Sequence, residues 1–90
     1  MPSIKFTQAL KRFYPDLEAL DLEVTSVKEV IDTLEAKYPG ISSYIVDDQG
    51  ALRQHVNIFV DGSMVKDRET LSDALTPNTE VYIMQALSGG

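Results

Sequence analysis

At 90 residues the chain is one small domain, close to the lower limit at which a single core suffices without staples. An apolar fraction of 43% with 24% charged residues excludes wholesale disorder, and the absence of cysteine excludes a disulfide framework, a thiolate nucleophile and a zinc–thiolate site. Fourteen acidic against eight basic residues, a net charge of −6, disfavour nucleic acid and anionic membrane surfaces and favour a partner with a basic docking face. No stretch has the apolar length of a signal sequence or a membrane span, and a cytoplasmic protein is expected.

In chain order, Ile4, Phe6, Gln8 and Leu10 alternate with Lys5, Thr7 and Ala9, which predicts a first strand. Pro15-Asp16 marks a turn, and Leu20, Leu22 and Val24 alternate with Asp21 and Glu23 as a second strand. Two such strands joined by a polar loop read as a hairpin. Ser26 stands three residues before Glu29, a capping box at the start of a helix whose apolar stripe is Val27, Val30, Ile31, Leu34 and Tyr38. Pro39-Gly40 stops it. Ile41–Val46 reads as a short second helix or a turn, and Asp47–Gly50 as a loop.

Leu52 to Val60 is a third strand with Val56, Ile58 and Val60 on one face and His55, Asn57 and Phe59 on the other. Asp61-Gly62 is a strong two-residue hairpin signal and returns the chain through Met64 and Val65 as a short fourth strand. Leu71, Ala74 and Leu75 predict a single helical turn, and Val81 to Leu87 alternates as the last strand. With that strand placed parallel beside the first, the pattern gives an α+β chain of β-grasp type, a mixed sheet of four to five strands packed on one main helix. Residues 1–87 are expected to form the domain and 88–90 a flexible tail.

The sequence ends in Ser88-Gly89-Gly90. Glycine loses more conformational freedom on ordering than any other residue, so a diglycine end resists being fixed. It offers a backbone without Cβ atoms, able to thread a narrow channel, and a carboxylate with a reference pKa of roughly 3.3–3.7. A frayed terminus is the alternative reading of the same residues.

Three segments carry a family resemblance: the helix Val27–Pro39, the strand and turn His55-Val56-Asn57-Ile58-Phe59-Val60-Asp61-Gly62, and the ending Val81–Gly90. Along its whole length the chain resembles the ubiquitin-like sulfur carriers of the MoaD/ThiS family. The middle segment looks like carriers that feed cysteine biosynthesis, and the Ser-Gly-Gly end looks like the small subunit of molybdopterin synthase. Gln85-Ala86-Leu87 departs from that second branch, which often has a proline and a larger apolar residue there.

The resemblance implies that an E1-like, ATP-dependent adenylyltransferase/sulfurtransferase adenylates the carboxylate of Gly90 and that a sulfur donor converts it to a thiocarboxylate. Gly89 and Ser88 are then the channel-threading residues. Sulfur passes to an accepting enzyme, of cysteine synthase-like, molybdopterin synthase large-subunit or thiazole synthase-like type. The carrier itself is expected to be no enzyme and to bind no cofactor, ATP being used by its partner. Strand parity places Phe59, Tyr82, Met84 and Ala86 on the sheet face away from the helix, and with Leu87 they form the expected partner-docking patch. The competing reading makes them core.

No nucleophile–base pair, phosphate loop or metal-ligand spacing stands out. His55, the only histidine, reads as a solvated strand residue, Asp47-Asp48 as a turn and Lys11-Arg12 as a solvated loop. Two other functions use the same features: a protein modifier joined through Gly90 to target lysines, and a β-grasp interaction domain with an inert tail.

Overall fold

Apolar residues two apart on strands and three or four apart on a helix give this chain two faces to bury against each other. In the computed structural model, which describes residues 1–85, the order is β1 (Ser3–Phe6), α1 (Gln8–Phe13), β2 (Leu20–Asp21), α2 (Val27–Lys37), α3 (Ser42–Ile45), β3 (Val56–Val60), β4 (Ser63–Met64) and β5 (Glu80–Gln85). The strands form one five-stranded sheet, β2-β1-β5-β3-β4. β1 and β5 run parallel at its centre and the other pairs are antiparallel. This is the β-grasp arrangement. Ile4, Val56, Ile58, Val81 and Ile83 of the sheet and Val27, Val30 and Leu34 of α2 share one core and are all essentially inaccessible.

Helix α2 follows its local signals. The Ser26 hydroxyl accepts from the Glu29 amide at 3.3 Å, while the Glu29 carboxylate reaches back to the Thr25 amide at 2.6 Å, one residue earlier than a standard capping box. The remaining amides of the first turn are also occupied. Val27 N–H donates to the Asp73 carbonyl at 3.1 Å and Lys28 N–H to the Leu71 carbonyl at 2.9 Å. At the far end Glu35 accepts from the amides of Gly40 and Ser42 at 2.8 and 3.0 Å, which fixes the turn into α3.

Three expectations need correction. The first two strands are antiparallel neighbours but not a hairpin, because α1 intervenes. Gln8, Ala9, Leu10, Lys11 and Arg12 are all good helix formers with no β-branched residue among them, and Tyr14, held out of the helical region by Pro15, ends the helix. Leu71–Leu75 forms no helical turn: Leu71 has φ +56°, and the carbonyls of Leu71 and Asp73 serve the orphan amides of α2. The third strand starts at Val56 and not Leu52, which instead makes an isolated bridge with Val46.

The Asp61-Gly62 turn is as expected. Val60 pairs with Ser63, and both loop residues have positive φ, +51° and +85°, the signature of a type I′ hairpin.

Candidate functional site

The sheet face away from α2 is built by strand alternation. On β5, Val81 and Ile83 are buried beneath the sheet and Tyr82 and Met84 stand exposed above it. On β3, Val56 and Ile58 point inward, leaving Asn57 and Phe59 half-buried on the outer face. The registers Lys5↔Tyr82, Phe59↔Tyr82 and Phe59↔Met64 align Lys5, Tyr82, Phe59 and Met64 in one row across four strands. Asn57↔Met84 forms the next row.

An open groove of about 560 Å³ lies on this face, lined by Lys5, Phe59, Asp61, Gly62, Glu80, Val81, Tyr82 and Met84. Its walls are mostly apolar. At the rim the Lys5 ammonium meets Glu80 at 3.0 Å, a solvent-exposed pair that contributes little to stability. Such a face, with two aromatics and two methionines and no covering loop among the described residues, has the chemistry of a protein-docking surface.

The structure therefore brings together three of the five residues anticipated for docking, Phe59, Tyr82 and Met84. Ala86, Leu87, Ser88, Gly89 and Gly90 lie outside the described residues. Met64, 52% exposed, belongs to the same row and was missed by the sequence reading. Its signal was present, since a two-residue loop at Asp61-Gly62 forces Met64 opposite Phe59.

Arg68 holds the start of β3. Its Nη1 donates to Asn57 Oδ1 at 3.1 Å, and its Nη2 donates to the carbonyls of Arg53 and Val56 at 2.9 and 3.0 Å. Val56 is the register partner of Gln85, so this guanidinium secures the strand alongside the end of β5. Among the described residues no cluster of histidine and carboxylates has the geometry of a metal site, and no helix is long and apolar enough to cross a membrane.

Comparison with known proteins places this geometry in a family. The ThiS family model matches residues 4–90. The sulfur carrier protein CysO of Mycobacterium tuberculosis is 38% identical over 63 residues, 68% of each chain. Small archaeal modifier protein 3 of Haloferax volcanii is 29% identical over 65 residues, 72% of this chain and 70% of that one. The crystal structure of M. tuberculosis CysO superposes with a TM-score of 0.81 at 26% identity, over 97% of this chain and 100% of the other. A chain of the Amycolatopsis orientalis BexX/CysO complex gives a TM-score of 0.83 over the whole of both chains at 19% identity, a likeness of fold. With a family match that spans nearly the entire sequence, and a relative this similar over two thirds of it, the chain belongs to the ThiS family.

Proposed function

We propose that the chain is a sulfur carrier whose Gly90 carboxylate is the attachment point. The observation that supports this best is 38% identity to a sulfur carrier protein, in a family match that runs through Gly90. The chemistry follows from the residue. A carboxylate is a poor acylating group, so a carboxylate oxygen attacks the α-phosphorus of ATP held by a partner enzyme and pyrophosphate leaves. A sulfide-level nucleophile then adds to the acyl carbon and AMP departs, leaving a thiocarboxylate. Ser88 to Gly90, at 3.3–3.6 Å per residue, extend about 10 Å, far enough to enter a buried site while the globule stays outside.

In this reading the domain supplies docking and reach, and the partner enzyme supplies the nucleotide and the catalysis. Phe59, Tyr82, Met84, Ala86 and Leu87 are the docking residues, and Gly89 with Ser88 threads the channel. The acceptor we place on the cysteine-type branch, on the strength of the His55–Gly62 segment.

Deleting Gly90 is expected to abolish loading while leaving the melting temperature unchanged. The readout is intact mass after incubation with the activating enzyme, ATP and a sulfur source, where replacing oxygen by sulfur adds roughly 16 Da. A gain of that mass by the shortened chain rejects the mechanism. Similarity to a small archaeal modifier protein favours a second reading, conjugation of Gly90 to lysine amines. Isopeptide-linked remnants of this chain on lysines of other proteins, with no thiocarboxylate, would select it.

A further inference from the structure

The chain has only three arginines, Arg12, Arg53 and Arg68, and the topology gathers them at one end. β1 and β5 are parallel, so α1 begins where both strands finish, with the Thr7 amide donating to the Ile83 carbonyl at 3.2 Å. Arg12 stands exposed in the last turn of α1, beside Lys11. On the other side of β5, the antiparallel β3 starts at this same end, Val56 opposite Gln85. Exposed Arg53 lies just before it, tied to α3 by its amide to the Ile45 carbonyl at 3.0 Å and by its Nε to the Ser43 carbonyl at 2.7 Å. Arg68 reaches the same strand start through its three bonds.

The opposite end carries Asp21 at the end of β2, Asp61 in the hairpin turn and Glu80 at the head of β5. In a chain of net charge −6, all three arginines thus lie at the end of the strands opposite these acids. No arginine forms an ion pair with a carboxylate among the described residues, where the ion pairs are Lys5–Glu80 and Lys28–Asp32. Of the acids flanking α3, Glu35 is engaged by the amides of Gly40 and Ser42, and Asp47, two residues past the helix, accepts from the amides of Gln49 and Ala51. Beside Arg12, Phe13 is 54% exposed and stacks on Tyr44 of α3, ring centroids 4.6 Å apart.

From this placement we infer that the end of the sheet where β5 finishes is a second docking surface, a cationic collar of Arg12 and Arg53 anchored by Phe13, that seats on an acidic rim around the channel of the activating enzyme. The overall charge alone favours a basic partner; the local charge where the chain must meet the channel has the opposite sign. Guanidinium groups suit carboxylates, because they remain charged at all working pH values and present paired donors. The inference rests on the sulfur-carrier reading for its partner. Nucleic acid is disfavoured by the net charge, which opposes long-range approach of a polyanion.

The test compares the intact chain with Arg12→Glu/Arg53→Glu and with Arg12→Lys/Arg53→Lys, measuring loading kinetics and direct binding to the activating enzyme. Arg68 is left in place to preserve the strand. Charge reversal should raise the KM for the carrier at least about tenfold with little change in kcat, and lysine should restore most of the loss, which separates charge from the Arg53–Ser43 bond that reversal also removes. Salt from about 50 to about 500 mM should weaken binding of the intact chain and have far less effect on the reversed variant. Equal affinity and equal salt dependence of the intact and reversed chains would overturn the collar. So would retention on polyuridine RNA that depends on these arginines while enzyme affinity does not. If the intact chain binds in an arginine- and salt-dependent manner but gains no sulfur, the collar stands and the sulfur reading falls.

Discussion

Asp67 shows how a single side chain shapes the long connection to β5. Its carboxylate accepts from the hydroxyl and amide of Ser72 at 2.6 and 3.2 Å, from the Thr70 hydroxyl and, at 3.0 Å, the Thr70 amide, and from the Glu69 amide at 3.1 Å. The Ser72 and Thr70 hydroxyls favour the ionised form and hold its pKa far below the usual carboxylate range. Glu29, bonded to the amide and hydroxyl of Thr25, and Glu35, bonded to Gly40 and Ser42, are lowered in the same way. For a depressed pKa, stabilisation is complete above the unfolded value, about 3.9 for aspartate, and is lost progressively as pH falls below it. Asp67→Asn should therefore melt a few degrees below the unaltered chain at neutral pH, with the gap closing as pH is lowered toward about 2. Thermal melts of both proteins across that range decide it; a gap independent of pH would assign the loss to shape and not to charge.

Elements were legible where their determinants are local. Helix α2 has its cap, stripe and stop within a dozen residues of one another, and it forms as read. The parity of β3 and β5 was readable for the same reason, period two beside a two-residue turn, and it put Phe59, Tyr82 and Met84 on the outer face. Helix α1 was hidden because the spacing of Ile4, Phe6 and Leu10 continues the strand period across a boundary that helix propensity sets. The segment around Leu71 was hidden for a tertiary reason. Its carbonyls are claimed by amides of α2 more than forty residues earlier in the chain, and no local pattern records that. The hairpin offers a clean test of the local rule. Gly62 sits at φ +85° with open space where a Cβ would lie, so Gly62→Ala meets no clash and pays only the conformational penalty of the left-handed region. A loss of about 1 kcal/mol in urea unfolding is expected, with the fold intact. An unchanged midpoint would show that the turn adopts another type in solution.

At the scale of the whole molecule, the proposed docking face and the proposed attachment point are joined through β5. That strand is central, paired along its length with β1 and β3, and it carries Tyr82 and Met84 on its outer face before leading to the terminal residues. Under the proposed function, a partner that grips the groove also fixes the origin from which Gly90 extends, so the face would set where the carboxylate arrives as well as how tightly the carrier binds. Tyr82 is the residue on which to test this. It is 37% exposed, it lies between Lys5 and Phe59 in register, and it lines the groove, while its neighbours Val81 and Ile83 carry the core contacts. Tyr82→Ala should cost the partner complex about 1–2 kcal/mol, roughly a tenfold weakening, and leave the melting temperature nearly unchanged. Because binding also places the tail, the loading rate at saturating carrier should fall as well as the affinity, which distinguishes this substitution from reversal of the arginine collar. Calorimetric binding and single-turnover loading read the two effects separately. Full affinity for the activating enzyme in the alanine variant would remove the sheet face from the docking surface and leave the tail and the arginine end to carry recognition alone.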